Sequence, residues 1–264
     1  MKNNSKKWVI PVIIIIGFLL LLSLFVFAAL ASTSLSGNTA LIKVRGVITS
    51  EAQSSFGSET ASASALAENI RLADENPAIK AIILDINSPG GTAVASEELA
   101  AAVKGAQKPV VALIRDIGTS GAYWTASSAN TIVASPLSIT GSVGATASYL
   151  EFSGLFEKYG IGYQRVVSGE LKDTGTPFRN LTKTEEELFQ ELIGLTADYF
   201  AMSVQENRNL DQSTVDEITS GRIYTGQQAL ELGLIDELGN MQTAKEVAAE
   251  LGGIEKVSIV EYHV

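Results

Sequence analysis

The chain has 264 residues, a net charge of −10, no cysteine and a single histidine, His263, next to the C-terminus. The absence of cysteine excludes disulfides, thiolate nucleophiles and cysteine zinc sites, and one histidine excludes a multi-histidine metal centre. An acidic surface repels phosphates, so nucleic acid is not an expected partner.

The first 31 residues stand apart. Lys2, Lys6 and Lys7 precede an apolar run from Trp8 to Ala31 that only Pro11, Gly17 and Ser23 interrupt. As a helix this run is about 36 Å long, enough to cross a bilayer core of about 30 Å with some tilt. Lysines on its N-terminal side predict a cytoplasmic N-terminus and an external remainder, with Trp8 as an interfacial aromatic. Ala29-Leu30-Ala31 has the small residues of a cleavage site, but the run exceeds the 7–15 or so apolar residues of a signal peptide. The expectation is a cytoplasmic N-terminus and one uncleaved transmembrane anchor within residues 1–31, a polar linker over 32–38 and an external domain over 39–264.

Thr39–Ile48 reads as a strand. Ser50–Ser64, rich in Ser, Ala and Glu, reads as a rim loop before a helix at Ala65–Ala73. A strand–turn–helix rhythm follows. Ala81–Ile86 is a short apolar run of the buried-strand type, turned by Ser88-Pro89-Gly90-Gly91 into a helix over Val94–Val103. Val110–Ile114 is turned at Gly118–Gly121 into a helix over Ala122–Ser128. Thr131–Ala134 precedes a third glycine turn, Gly141–Gly144. A helix over Leu150–Tyr159 leads to a predicted strand, Gly162–Val167. Thr182 and Glu185 form a capping box at the start of a long amphipathic helix reaching Asn207. Helices at Thr214–Thr219, Gln227–Leu232 and Thr243–Leu251 and a strand at Lys256–Tyr262 complete the chain. The alternation predicts an α/β architecture with a largely parallel sheet.

Three glycine turns after three strands converge on one edge of such a sheet, where ligands bind. Each also has a purely structural reading: Pro89-Gly90-Gly91 as a tight turn, Ser120 as a helix N-cap, Gly141–Gly144 as a strand end. If Ser120 is a nucleophile, it needs a base to take its proton, and with His263 in the tail that base has to be a lysine. Familiar signatures fail: G-x-S-x-G breaks at Ala122, Ser168 and Lys172 miss the S-x-x-K spacing, and there is no P-loop.

The ordered set NSPGG (87–91), GTSGAYWTASSANTIVASP (118–136), TGSVG (140–144) and GELKDTGTPFRNLT (169–182) resembles the signal peptide peptidase A family. These are membrane-anchored serine peptidases of the ClpP/crotonase-like fold, a spiral of strand–turn–helix units. The resemblance runs from about Leu41 to Glu237. One departure is Ala122, where the family commonly has glycine; a single methyl group predicts a small pocket adjustment.

The resemblance implies Ser120 as nucleophile and Lys172 as general base, with the N–H groups of Gly91 and Gly121 as oxyanion hole and Ser142 orienting the lysine. It also implies peptide substrates such as signal-peptide remnants, no metal or organic cofactor, and a homo-oligomeric ring whose dyad is completed between neighbouring protomers. A lysine base must be desolvated to be neutral. Asp173 beside Lys172 opposes that, and is expected to face away as a neighbour in extended chain. The alternatives are a crotonase-like acyl-thioester enzyme and a catalytically silent membrane scaffold.

Overall fold

The structure is a computed structural model that describes residues 15–23, 37–51 and 60–263. It divides into two units, Met1–Gly37 and Asn38–Val264. In the first, residues 15–23 are helical, and Phe18, Leu20 and Leu21 are exposed. Among the described residues no helix is long and apolar enough to cross a membrane. Most of the predicted anchor, the Ala29–Ala31 site, residues 32–36 of the linker and residues 52–59 of the rim loop lie outside the described residues.

The second unit is a mixed α/β fold around an eight-stranded sheet. Its main path runs β10 (Ile259–Tyr262), β1 (Thr39–Arg45), β4 (Ala81–Ser88), β5 (Val110–Thr119), β6 (Thr131–Ala134) and β9 (Glu237–Leu238), all parallel. β7 (Ile139–Gly141) lies parallel to the end of β5, and β8 (Ile223–Thr225) runs antiparallel to β7. β2 (Val47–Thr49) and β3 (Thr60–Ser62) form a small parallel pair.

The central strands are buried on both faces, as their continuous Ile/Leu/Val runs require. On one face lie α1 (Ala63–Glu75), α2 (Ala93–Gly105), α3 (Gly121–Ser127) and part of α5 (Lys183–Arg208), which bring Leu66, Leu99, Tyr123 and Phe200 into one core. On the other, α8 (Met241–Gly252) sets Ala244 and Ala248 against Ile83, Val111 and Leu113. α4 (Ser153–Lys158), α6 (Gln212–Ile218) and α7 (Gly226–Glu231) are short.

Most predicted elements occur within a few residues of their expected bounds. The Thr182/Glu185 capping box forms as read, with both of its bonds present. One predicted strand does not exist. Residues 162–167 join no strand and Val166 is 97% exposed, because β-branched residues need a ladder partner that this stretch lacks.

Candidate active site

β4, β5 and β7 end side by side, with Ser88 opposite Gly118 and Gly118 opposite Thr140. The three glycine turns therefore do share one sheet edge. Side chains knit them together: Thr119 Oγ1 donates to Pro89 O at 3.1 Å, and Thr140 Oγ1 donates to Gly118 O at 2.7 Å. Ser120 N–H completes the join by donating to Gly141 O at 2.8 Å.

Ser120 sits between β5 and α3 with φ 52° and ψ −127°. Such backbone angles are costly for an L-residue, about 1–3 kcal/mol, and persist only where the surroundings enforce them. This sharp strand-to-helix turn is the kind that exposes a nucleophilic serine, reached here without the G-x-S-x-G spacing. The residue holds the N-cap position of α3, yet its side chain makes no capping bond. The N-cap reading of Ser120 is thereby set aside.

Two backbone donors lie beside it. Ile48 N–H donates to Gly90 O at 2.9 Å and Thr92 N–H donates to Ile48 O at 3.0 Å, so this bridge skips the N–H of Gly91. Gly121 is the first residue of α3, where an N–H has no intrahelical acceptor. The approach is close: a Cβ on Gly121 would stand 3.3 Å from Gly91 N, and one on Gly90 would stand 2.7 Å from Gly121 N. Gly90, at φ 97°, takes the turn conformation that glycine alone adopts freely.

A groove of about 740 Å³ opens in front of Ser120, and Gly91, Gly121 and Ser142 share it. Ser142 has φ 56° and is held by its N–H, which donates to Arg222 O at 2.8 Å. Motif reading alone misses the apolar walls, supplied by Val47, Trp124, Ile193 and Phe200. Ile193 and Phe200 come from α5, far along the chain. Ala122, the departure from the family pattern, is fully buried in the core.

Lys172 is not among the described residues that wall this groove. It is exposed, in a shallow hollow formed by its own segment, Ser168–Lys172. Asp173 pairs with Arg165 and Arg179, whose hydrogen bonds hold its carboxyl far below the usual carboxylate range. The extended chain expected at this point is absent: residues 168–175 form bends and turns.

A serine on a strained elbow beside two free backbone donors, on an α/β scaffold, is the equipment of an acyl-transfer hydrolase. Residues 102–255 match Peptidase family S49. A candidate protease of Methanocaldococcus jannaschii is 37% identical over 191 residues, covering 72% of this chain and 61% of that one. A candidate signal peptide peptidase of Enterococcus faecium is 32% identical over 225 residues, covering 84% of this chain and 65% of its own length. The chain thus spans less than two thirds of these relatives. The solved structure of a membrane-bound stomatin-specific protease, an alanine mutant, shares the fold at a TM-score of 0.55 and 14% identity, covering 87% of this chain and 99% of that one. The chain belongs to peptidase family S49, the serine peptidases of the signal peptide peptidase A and protease 4 type.

Proposed function

We propose that this chain is a membrane-tethered serine endopeptidase that degrades signal-peptide remnants or other small membrane-released peptides on the outer face of the cell membrane. The observation that carries the reading is Ser120 at positive φ beside the unused N–H groups of Gly91 and Gly121.

Ser120 Oγ attacks the peptide carbonyl and passes its proton to Lys172 Nζ. The oxyanion that forms is held by Gly91 and Gly121 N–H, a contribution of about 3–4 kcal/mol per donor. Protonated Lys172 then gives its proton to the leaving amine, which departs and leaves an acyl-enzyme. Water, deprotonated by Lys172, attacks the acyl group, which leaves as the acid while the ammonium of Lys172 returns that proton to Ser120 Oγ and restores it. Ser142, on the wall of the same groove, orients the lysine amine.

Lys172 reaches this groove from a neighbouring copy of the chain. Two features support that arrangement: Lys172 lies outside the groove of its own chain, and residues 145–181 contain no buried residue while exposing Leu150, Tyr159 and Val166. Such an arm suits packing against a second copy in a homo-oligomeric ring. Membrane tethering is supported by the apolar run Trp8–Ala31, whose described residues 15–23 are helical.

The test is to make S120A and K172A separately in the full chain and assay cleavage of a signal-peptide fragment in membranes. Fluorophosphonate labelling runs alongside. Both variants are expected to lose cleavage, and S120A to lose labelling. Cleavage surviving either change sinks the dyad. A crotonase-like enzyme or a silent scaffold leaves Ser120 unlabelled even in the wild type.

A further inference from the structure

Asp173 follows Lys172 directly, and a free carboxylate there would hold the lysine as its ammonium ion and idle it as a base. The structure binds that carboxylate elsewhere. Arg165 Nε donates to both Asp173 oxygens at 2.9 Å, and Arg165 Nη2 donates to Oδ1 at 2.7 Å. From the other side Arg179 Nη2 donates to Oδ1 at 3.0 Å.

Arg179 then carries the chain of charges onward. Its Nη1 donates to Glu185 Oε2 at 2.7 Å and its Nη2 to Oε1 at 2.6 Å. Glu185, with its side chain only 1% exposed, is the capping-box residue of α5 and accepts Thr182 N–H at 2.8 Å. Both flanks of Lys172 are fixed by the same groups. Arg165 also donates to Glu170 O, while Thr174 Oγ1 bonds Leu171 O at 2.8 Å and Glu185 Oε1 at 3.2 Å. Lys172 N–H itself donates to Gly169 O at 3.1 Å. The charged groups around this turn are thus Arg165, Glu170, Asp173, Arg179 and Glu185.

We propose that Arg165 is a positioning residue for the lysine base: within the chain Arg165–Asp173–Arg179–Glu185 it holds the Asp173 carboxylate in place and so keeps that carboxylate from pairing with Lys172. This rests on the reading of Lys172 as general base. Aromatic contacts of Phe178 with Phe156 and Tyr163 hold the arm together elsewhere, whereas at the Lys172 turn charge-assisted bonds to a planar guanidinium fork fix the Asp173 carboxylate.

The experiment measures kcat and KM against pH for the full-length enzyme in detergent, with a fluorogenic peptide. Arg179 holds the nearly buried Glu185, so its loss endangers folding, and the informative variant is R165M at a partly exposed position. With one of its two cations gone, Asp173 turns toward Lys172. The rising limb of the kcat/KM profile is expected to move up by about one pH unit, read as a roughly tenfold loss on that limb. KM stays the same, because Arg165 does not wall the Ser120 groove. Adding D173N removes the freed carboxylate, and R165M/D173N returns the limb to its wild-type position.

An unmoved limb in R165M, a loss uniform across pH, or a limb still displaced in R165M/D173N overturns the proposal. K172A separates this outcome from failure of the dyad. Cleavage retained in K172A rejects the base itself, whereas an inactive K172A with an unmoved R165M limb rejects only the positioning role.

Discussion

The Cβ that Gly121 lacks would lie 3.3 Å from the Gly91 nitrogen, so the two turns that carry the candidate oxyanion donors meet backbone to backbone. Parallel pairing of β4 and β5 brings them together, and only residues without side chains let them approach this closely. At Gly121 a Cβ would also stand 1.9 Å from Ser96 Oγ, and at Gly91 it would stand 1.8 Å from Ile48 O.

These clashes predict different outcomes for the two alanine variants. In G121A the Ser96 hydroxyl, which donates to Thr92 O at 2.8 Å, is able to turn aside, but Ser96 Cβ would stand 2.7 Å away, so α2 and α3 have to part slightly. The fold survives, and kcat falls about 10²-fold or more as the hole distorts. In G91A the obstacle is backbone, so Ile48 and β2 have to move. Activity is then lost together with about 1–3 kcal/mol of stability. Urea midpoints measured beside kcat on both variants check this; a G91A enzyme of wild-type midpoint contradicts the geometry.

If each site takes Ser120 from one protomer and Lys172 from the next, inactive S120A and K172A chains rescue one another. In a randomly mixed ring with equal amounts of both, about a quarter of the sites receive both intact residues. Activity of the co-refolded mixture is therefore expected near one quarter of wild type. Mixing without subunit exchange restores nothing, and a co-refolded mixture that stays silent places both residues of the dyad in one chain.

Acidification reads out the anchoring of the arm. Hydrogen bonds from Arg179, then from the Thr182 backbone, hold Glu185 down at about 2, against an ordinary value of 4.5. A carboxyl depressed in the folded state contributes stability in full above its unfolded value and loses it as pH falls through the folded one. Protection of residues 165–185 from hydrogen exchange is thus expected to decline between pH 4.5 and about 2. Asp173, lowered by Arg165 and Arg179, acts in the same direction. In E185Q the arm is less protected at pH 7, and the decline over this window flattens.

The groove floor is readable in the sequence for a physical reason. Ser120, Gly91, Gly121 and Ser142 each sit in a short glycine-marked turn after a run of buried Ile, Leu or Val, and parallel pairing leaves such turns on one edge. The same local logic makes α5 readable from its capping box. It fails where structure depends on partners remote in sequence. β7, β8 and β9 are two or three residues long and carry no periodicity of their own. β5 continues past Ile114 because Arg115 and Asp116 interrupt its apolar run without ending its pairing. Residues 162–167 have strand-forming side chains and no strand to join. Within the arm, Arg165 and Arg179 find Asp173 across turns that local pattern does not specify.

The wall of the groove offers a last test. Phe200 is 3% exposed and stacks on Trp124 at 4.7 Å with an interplanar angle of 13°. Trp124 Nε1–H donates to Ser203 Oγ at 2.9 Å, and with the tilted Trp124–Tyr199 contact and the Asn207 Nδ2 bond to Ser127 Oγ at 3.3 Å this ring stack fastens α5 to α3. F200A leaves a cavity costing about 3–5 kcal/mol. F200L, which keeps most of the volume, costs under about 1.5 kcal/mol and loses only the ring stack. Both variants reshape the apolar wall of the groove, while the Ser120 elbow keeps its ties to Gly141, Pro89 and Gly118 through its own and its neighbours' hydrogen bonds. F200L is therefore expected to raise KM for an apolar peptide several-fold while fluorophosphonate labels Ser120 at nearly the wild-type rate. A labelling rate that falls as far as kcat/KM would show that α5 holds the nucleophile in place and does more than wall its groove.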